Sequence, residues 1–378
     1  MMIIKNGNIF CDDGEFRKLD IEVQNGVITA IGENISDSAA EVIYSEGDYI
    51  VPGFVDIHSH GAMGADFSDG TAEAVQTIAK YYLSNGITSF LGTTMSLPEK
   101  QLVEICGVYN PLINNETTDL AVFRGIHLEG PYFSQERRGA QNPAYLVNPD
   151  ITMFSCMNEA SGDAVRMIAV APELDGAMDF IEAASKVCTV SLAHSTANCE
   201  TAKNAFSRGA DHVTHLFNGM NPMSHREPGI IGAASDCNAF VELIADGIHI
   251  HPTVVCAVFK LYGEDKVCLI SDSIRACGLT DGQYDLGGQM ITVKGKSATV
   301  SDNTLAGSVT CLADCMRNAV NFSVPLTKAL KAATINPAIS VGLDKEIGSL
   351  SIGKRADILI LDRELALKKI IFNGKQID

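Results

Sequence analysis

His58 and His60 are the first residues in the chain whose types and spacing point to metal chemistry. They follow an apolar run, Ile50 to Ile57, that predicts a short buried strand. Because side chains alternate between the two faces of a strand, both imidazoles point the same way, about 7 Å apart along the chain. Two imidazoles at the carboxyl end of a core strand can bind one metal ion, and polar residues at that end of a barrel strand usually belong to an active site. The alternative is two histidines in an ordinary turn.

Further histidines and carboxylates stand at the ends of other apolar runs. Glu129 closes a run that a Gly-Pro pair ends, and Asp272 follows the last predicted barrel strand. Taken singly, each residue has a simpler explanation, such as a hydrogen-bonded histidine or a salt-bridged carboxylate. These separate explanations do not account for the common position of all the residues at strand ends. Nitrogen and carboxylate ligands with open positions suit a catalytic Zn²⁺ or a similar divalent ion. We therefore predict one site from His58, His60, Glu129, His194, His215 and Asp272.

The segments that must position these residues alternate between strand-like and helix-like patterns. Eight β/α units predict an α/β fold, a (β/α)8 barrel of the TIM type, with active-site groups just after its strands. The predicted strands are Ile50–Ile57, Ile87–Gly92, Phe123–Leu128, Met167–Val170, Cys188–Ala193, His212–Leu216, Phe240–Ala245 and Val267–Ser271. The helix-like segments between them include Thr71–Ser84, Asp175–Lys186, Cys199–Ser207 and Pro252–Tyr262.

The two ends of the chain read as short strands with turns, such as Asn25-Gly26 between two alternating runs. We expect them to form one small β-sandwich domain. The predicted division is residues 1–50 and 344–378 for this domain and 51–343 for the catalytic barrel. A Gly-rich insertion at 274–307 contains Gly287-Gly288, which predicts a hairpin that covers the barrel mouth.

Composition and charge exclude several classes of function. The formal net charge of −18 argues against nucleic acid or an anionic membrane surface as a partner. No apolar run approaches the roughly 18–20 residues of a membrane span, and the N-terminus lacks a signal-peptide pattern. The eleven cysteines are scattered and odd in number, and they include no Cys-x-x-Cys. We therefore expect reduced thiols and a cytoplasmic protein.

Six short motifs resemble one enzyme family. They are Pro-Gly-Phe-Val-Asp-Ile-His-Ser-His-Gly, His-Leu-Glu-Gly-Pro, Thr-His-Leu-Phe-Asn-Gly-Met, Arg-Glu-Pro-Gly, Ala-Asp-Gly-Ile-His and Leu-Ala-Gly-Ser. Together they resemble the N-acetylglucosamine-6-phosphate deacetylases of the amidohydrolase superfamily. The resemblance covers essentially the whole chain, including the closing Gly-Ser-Leu-x-x-Gly-Lys-x-Ala-Asp. The His-x-His motif alone would indicate only the superfamily.

The resemblance implies a ligand set. Glu129, His194 and His215 match the metal site common to the family, and His58 and His60 match a pair that holds a second ion with Glu129 as the bridge. One carboxylate has two oxygens, so five side chains can serve two ions without the carboxylated lysine of many superfamily members. We expect one or two divalent ions per chain, with Zn²⁺ preferred and Fe, Mn or Co as alternatives.

The resemblance also implies the reaction, which is hydrolysis of N-acetyl-D-glucosamine 6-phosphate to acetate and D-glucosamine 6-phosphate in amino-sugar catabolism. A bound ion lowers the pKa of water toward about 7. Asp272 is the expected general acid/base: it accepts the water's proton during attack on the acetamide carbonyl and passes it to the leaving amine. The developing oxyanion needs a positive partner, for which a metal is the natural choice.

An acidic chain must hold the substrate's phosphate with local cations or amides. Arg226 matches the family's phosphate-binding arginine, whose guanidinium fits a phosphate with two prongs, and His249 matches a sugar-phosphate contact. The backbone amides of Asn218 and Gly219 are further candidates. Family members are typically homodimers, and part of the phosphate site can come from the second subunit. The segment that packs on the sugar and N-acetyl group matches Leu305, Ala306 and Gly307.

The segment Arg138-Gly139-Ala140-Gln141-Asn142 departs from the family pattern at one position. Some members carry a histidine where Gln141 stands, and there it helps to polarise the carbonyl. Glutamine donates a neutral hydrogen bond but cannot become cationic. We therefore expect Ala140 and Gln141 to contact the substrate and leave the electrophilic role mainly to the metals. The remaining histidines are interpreted as structural: His127, His212, His225 and His251.

Three alternatives remain open at this point. The substrate can be the galactosamine epimer, or the enzyme can be another N-acyl amidohydrolase such as a D-aminoacylase. A non-catalytic sugar-phosphate binding protein on the same barrel is the third, although such proteins often lose metal ligands or the proton shuttle.

Overall fold

Most of the strands belong to two eight-stranded sheets. The computed structural model describes residues 1–36, 41–115, 117–302 and 304–377. Its strands are β1 (Met2–Phe10), β2 (Phe16–Gln24), β3 (Val27–Gly32), β4 (Glu41–Tyr44), β5 (Tyr49–Pro52), β6 (Phe54–Asp56), β7 (Gly61–Ala62), β8 (Ala65–Asp66), β9 (Ile87–Thr94), β10 (Val122–Glu129), β11 (Val165–Val170), β12 (Thr189–Leu192), β13 (His212–Val213), β14 (Phe240–Ile244), β15 (Val267–Ile270), β16 (Gly282–Leu286), β17 (Gln289–Lys294), β18 (Ser297–Thr299), β19 (Ile358–Leu361), β20 (Leu367–Phe372) and β21 (Lys375–Ile377).

Four of the ten described helices begin after a residue whose side chain caps the first turn. The side chains of Thr71 and Asn198, for example, accept hydrogen bonds from backbone N–H groups in the first turn of the helix that follows each of them. Within the described ranges, none of the helices has the length and apolar composition that crossing a bilayer requires. They are α1 (Ala72–Ser84), α2 (Glu99–Tyr109), α3 (Ile151–Ala160), α4 (Ala177–Ala184), α5 (Cys199–Ser207), α6 (Gly229–Asp236), α7 (Pro252–Leu261), α8 (Leu312–Asn321), α9 (Leu326–Ala333) and α10 (Ile335–Ser340), with short 3-10 turns at Phe67–Asp69, Asn110–Leu112, Gln135–Arg137 and Pro143–Tyr145.

The first of the two sheets is the predicted barrel. Its strands are all parallel, in the order β6-β9-β10-β11-β12-β13-β14-β15, and each is followed by one of the helices α1 to α8. Backbone bonds just beyond the strands join the first to the last: Asp272 N–H donates to His58 O (2.9 Å), and His60 N–H donates to Ser273 O (2.7 Å). All eight residues of β9 and of β10 are buried, as expected for parallel strands covered on both faces. The (β/α)8 prediction is confirmed.

Gly53 divides the predicted strand Ile50–Ile57 into two, so the prediction of one continuous strand was wrong. β5 belongs to the second sheet and β6 to the barrel. A Cβ at Gly53 would lie 2.1 Å from Oγ1 and 2.8 Å from Cβ of the buried Thr88, so only glycine allows this approach. His58 and His60 consequently lie in the loop after β6 rather than in the strand.

The second sheet combines strands from both ends of the chain, in the order β21-β20-β19-β5-β1-β2-β3, with β4 beside β1. It curls on itself, because Ile28 N–H donates to Lys354 O (3.0 Å) and Gly353 N–H donates to Ile28 O (2.9 Å). The enclosed core includes Ile4, Ile21 and Ile358. The predicted domain boundaries after residues 50 and 343 stay predictions.

The insertion after β15 forms a three-stranded antiparallel sheet, which we call the lid sheet (β16 to β18). Gly287 and Gly288 have φ values of 56° and 80° in the tight turn between β16 and β17, as the paired glycines predict. Leu286 and Ile291 pack with Met95 of the barrel. The lid sheet therefore lies against the barrel mouth.

The close approach at Gly53 generates a stability prediction. Gly53→Ala should lower the free energy of unfolding by about 1–3 kcal/mol, because the added methyl overlaps Thr88. Gly107→Ala in α2 is the matched control. No described atom lies within 4 Å of the added Cβ there, and the change should stabilise by about 0.4–1 kcal/mol. Urea unfolding of both variants gives the comparison, and equal midpoints would contradict the packing account.

Candidate active site

The six predicted chemical residues meet at the carboxyl end of the barrel. Glu129 is the last residue of β10, whereas His194, His215 and Asp272 each stand two residues beyond the end of a strand. The φ angles of these three are 44°, 29° and 47°, in the left-handed region that residues other than glycine seldom adopt. Strain of this kind persists where the surrounding structure imposes it, commonly at functional sites.

Glu129 faces four imidazoles at once. Its Oε1 lies 2.9 Å from His215 Nε2 and 3.2 Å from His194 Nε2, and its Oε2 lies 3.3 Å from His60 Nε2. His58 Nε2 is 3.7 Å from Oε1. The carboxylate thus has one oxygen beside the His194–His215 pair and the other beside His60, which is the arrangement a bridging ligand needs.

Asp272 completes a second group with the His-x-His pair. Its Oδ1 lies 3.3 Å from His60 Nε2 and 3.5 Å from His58 Nε2. Each of the sets Glu129–His194–His215 and His58–His60–Asp272 has one ligand atom per residue within 4.8 Å of the others. Asp272 is therefore as close to the histidine pair as Glu129 is, which its predicted role as acid/base did not require.

The ligand set fits a divalent cation. His194 Nδ1 lies 2.8 Å from the carbonyl oxygen of Arg137 and must donate to it, so the Nε2 of the neutral ring carries the lone pair. That Nε2 is only 3.1 Å from His215 Nε2, and His58 Nε2 is buried without a hydrogen-bond partner among the described residues. A cation accounts for such a convergence of buried acceptors.

Both carboxylates are ionised at neutral pH. Burial raises the pKa of a carboxyl group. In Glu129, however, hydrogen bonds from the rings of His194, His215 and His60, when these carry a proton in place of a bound cation, outweigh burial and hold the pKa well below its usual range. In Asp272 the charge of His58 and the hydrogen bond from His60 likewise lower the pKa against burial. The site therefore presents two negative charges to a metal or a proton.

A layer of ionisable groups lies beneath the site, and one member was missed by the sequence analysis. Glu242 of β14 is fully buried, and its Oε2 accepts hydrogen bonds from His58 Nδ1 (2.8 Å) and from the backbone N–H of His215 (3.0 Å). His212 Nε2 lies 3.4 Å from its Oε1. The signal was present, since Glu242 is the one charged residue in Phe-Val-Glu-Leu-Ile. His127 lies deeper, where burial lowers its pKa to about 3.

A cavity of about 220 Å³ opens above these residues. Of the predicted substrate contacts, two are not among the described lining residues: Ala306 packs in the lid-sheet core, and Arg226 lies exposed. The walls of the cavity also include Met95, Gly139, Leu286 and Thr304, which were not predicted from the sequence. The predicted contacts that line it are Ala140, Gln141, Asn218, Gly219, His249, Leu305 and Gly307.

Gln141 is held in one orientation by the site itself. Its Oε1 accepts from the backbone N–H of Ser96 (2.8 Å), so its amide nitrogen faces inward and donates to Glu129 Oε2 (2.8 Å). The side chain thus contacts the metal-site carboxylate directly and also lines the cavity. A substrate contact alone would not require this second bond.

His249 reaches the cavity with a carboxylate behind it. Its Nδ1 donates to Asp246 Oδ2 (2.7 Å), and Asp246 Oδ1 accepts the backbone N–H groups of Ile248 (2.8 Å) and His249 (2.9 Å). Burial lowers the pKa of His249, but the bond to Asp246 and the charges of Asp246 and Asp272 outweigh it and raise the pKa. The ring is therefore suited to carry positive charge toward an anionic ligand.

Comparisons with known proteins agree on one family. Residues 49–377 match the amidohydrolase family. The chain is 34% identical to the N-acetylglucosamine-6-phosphate deacetylase of Bacillus subtilis (strain 168), over 98% of this chain and 93% of the relative. It is 31% identical to the N-acetylgalactosamine-6-phosphate deacetylase of Escherichia coli O157:H7, over 99% and 98%.

Solved structures show the same architecture. An N-acetyl-D-glucosamine-6-phosphate deacetylase mutant from Mycobacterium smegmatis, in complex with N-acetyl-D-glucosamine-6-phosphate, superposes with a TM-score of 0.93 at 29% identity, covering 99% of this chain and 98% of that one. The N-acetylglucosamine-6-phosphate deacetylase of Thermotoga maritima gives a TM-score of 0.88 at 29% identity, with 99% of both chains covered.

The buried ligand set generates a prediction for stability. Zn²⁺ added to the metal-free protein should raise the melting temperature, because only the folded chain assembles these ligands; the gain is about 2.7 kcal/mol at 100 times Kd. Thermal scans in chelator and in buffered Zn²⁺ measure it. His194→Ala should lose most of the shift. The control Cys237→Ser, which removes an exposed thiol, should keep it. An undiminished shift in His194→Ala would contradict the site.

Proposed function

The chain belongs to the amidohydrolase family, and we infer that it is a metal-dependent deacetylase that hydrolyses N-acetyl-D-glucosamine 6-phosphate to D-glucosamine 6-phosphate and acetate. The observation that carries the inference is the convergence of three imidazoles and two carboxylates at one cavity, with the ring of His58 buried beside them. Relatives at 31–35% identity over most of their length carry a deacetylase name of this kind. The enzyme is a hydrolase that acts on an amide bond.

Asp272 is proposed as the residue that moves the proton. Its pKa is held low, so it is a carboxylate at neutral pH, and Oδ1 lies toward His58 and His60. We assign Oδ2 to accept the proton of the attacking water and then to return it to the leaving nitrogen. A divalent ion, when bound, supplies the Lewis acid that activates the water and polarises the acetamide carbonyl.

Glu129 and Gln141 position the groups that surround the proposed proton transfer. Glu129 holds four imidazoles in place, and the amide nitrogen of Gln141 fixes Glu129 Oε2. We propose that the second N–H of Gln141 faces the acetyl group as a neutral donor, in place of the histidine of some family members. The lid sheet contributes Leu286 to the cavity wall.

We propose that the site would hold two ions per chain, preferably Zn²⁺, with Glu129 as a ligand available to both. Imidazole and carboxylate ligands suit zinc, and Fe, Mn and Co remain alternatives. Three groups of described residues lie within ligand distance, and the two that include cavity-lining residues, Glu129–His194–His215 and His58–His60–Asp272, support this count. The third, His58–His127–Glu242, has no residue in the cavity lining.

The phosphate is proposed to lie between the Asn218-Gly219 amides and His249, which all line the cavity. Arg226 is exposed and outside the described lining, which supports its action across the interface of a homodimer, with each subunit's arginine serving the other's cavity. A cytoplasmic location is proposed because all eleven cysteines are unpaired, as in a reducing compartment.

N-acetylgalactosamine 6-phosphate is the second candidate substrate. The relative that carries this name matches over 99% of the chain at 31% identity, against 34% for the first glucosamine relative. A difference of three percentage points in sequence identity does not show which of the two epimeric substrates the enzyme prefers. Parallel assays with both N-acetylhexosamine 6-phosphates, and with an N-acetyl amino acid as the phosphate-free comparison, assign the preference.

Removing the proton acceptor should nearly abolish turnover. Asp272→Asn should lower kcat for acetate release from N-acetyl-D-glucosamine 6-phosphate by about 10²–10⁴-fold, because the neutral amide cannot take the proton. Acetate release with metal content measured in parallel tests this, and chelator should abolish it in the wild type. Asp236→Asn, which changes a surface pair with Lys203, is the control and should keep wild-type kcat. Wild-type turnover in Asp272→Asn would contradict the assignment.

Hybrid dimers test the position of Arg226. Arg226→Ala and Asp272→Asn should each be nearly inactive when alone. Co-expressed with different affinity tags, they form a mixed dimer in which one cavity combines an intact Asp272 with the partner's intact Arg226. That dimer should regain about half of the wild-type activity per dimer, because one of its two sites is complete. A mixed dimer as inactive as its parents would place Arg226 in its own subunit's site.

Metal analysis tests the ion count. The wild type should bind two ions per chain and His58→Gln one, since the other group of proposed ligands, Glu129–His194–His215, does not include His58. His194→Ala should also abolish catalysis. Equal losses of metal and activity in the two variants would mean that the sites do not fill separately.

A further inference from the structure

Glu242 is a buried carboxylate to which the proposed mechanism gives no role. It is 0% exposed on β14, between apolar neighbours. An ionised carboxylate in such a place is costly unless it is hydrogen-bonded and its charge is balanced. Its Oε2 accepts hydrogen bonds from two histidine groups, His58 Nδ1 (2.8 Å) and the backbone N–H of His215 (3.0 Å). Its Oε1 lies 3.4 Å from His212 Nε2 without a hydrogen bond.

The bond to His58 determines which ring nitrogen faces the metal site. A carboxylate only accepts, so His58 Nδ1 must carry the hydrogen and the lone pair of the neutral ring lies on Nε2. That Nε2 is 3.5 Å from Asp272 Oδ1 and 3.7 Å from Glu129 Oε1. A histidine that ligates a metal through one nitrogen while a carboxylate holds the other is better oriented and more basic.

Only one of the two ligand groups has this support among the described residues. His194 Nδ1 is held by a neutral backbone carbonyl, and the Nδ1 atoms of His60 and His215 are buried without a hydrogen-bond partner. Glu242 meets the ring of His58 but only the backbone of His215. Two divalent ions bring four positive charges, whereas Glu129 and Asp272 supply two negative ones. Glu242 adds a third on the side of the His-x-His pair.

We propose that Glu242 is a positioning residue for the second ion: it fixes the His58 ring and balances part of the charge, so that the His58–His60 site fills. The inference rests on the proposed two-ion function. Glu242 does not touch the substrate cavity, whose described lining does not include it.

Glu242→Gln tests the charge with little change in shape. The amide oxygen can still accept from His58 Nδ1 and His215 N–H, so the first ion, held by Glu129, His194 and His215, should stay at one per chain with unchanged Kd. The Kd of the second ion should rise about 10- to 100-fold. Equilibrium dialysis against buffered free Zn²⁺, with metal per chain measured by mass spectrometry, gives both constants.

Two further variants separate the possible failures. His58→Gln marks the full loss of the second ion. Asp357→Asn removes the charge of a buried carboxylate just before β19, controls for general destabilisation and should keep both ions. A second-ion Kd within twofold of wild type in Glu242→Gln, while His58→Gln loses that ion, would overturn this inference alone. A wild type that binds only one ion would overturn the two-ion proposal and this inference with it.

Nitrogen-15 histidine NMR of the Zn²⁺-loaded wild type gives a test that needs no folded Glu242 variant. The His58 resonances are identified by their absence in His58→Gln. They should show a protonated Nδ1 and a metal-shifted Nε2. A protonated Nε2 with a free Nδ1 would overturn the proposal.

Discussion

The site depends on one buried carboxylate that must face four imidazoles. Glu129 ends β10 with two oxygens available, one beside His194 and His215 and the other beside His60. Further groups behind the site orient two of these rings and the carboxylate. The Arg137 carbonyl does this for His194, Glu242 does it for His58, and Gln141 fixes Glu129 itself.

The barrel stabilises this arrangement although three of its residues adopt an unfavourable backbone conformation. Positive φ at His194, His215 and Asp272 costs of the order of 1–3 kcal/mol each. The hydrogen bonds from Asp272 to His58 and from His60 to Ser273 oppose it, because they join the two loops where the barrel closes. The same bonds bring the His-x-His pair to Asp272, so contacts that close the barrel also hold this part of the site together.

Much of the fold and of the candidate site could be predicted from the sequence, because apolar runs indicate where the barrel strands end. The eight barrel strands, the Gly287-Gly288 hairpin and the common edge of the six chemical residues all follow from local patterns. The break at Gly53 could not, since it arises from contact with Thr88, 35 positions away in the chain. The role of Glu242 could not be predicted, because the sequence does not show which histidines contact a charged residue inside an apolar strand. The exposure of Arg226 likewise depends on tertiary structure.

The most direct test of the central claim, that Glu129 bridges two ions, is a crystal structure of the Zn²⁺-loaded protein with anomalous scattering data. We expect two peaks about 3.5–4 Å apart, the usual spacing of two-metal sites, one beside His194 and His215 and one beside His58 and His60, with a Glu129 oxygen on each. A single peak, or two peaks that share no Glu129 ligand, would contradict the account.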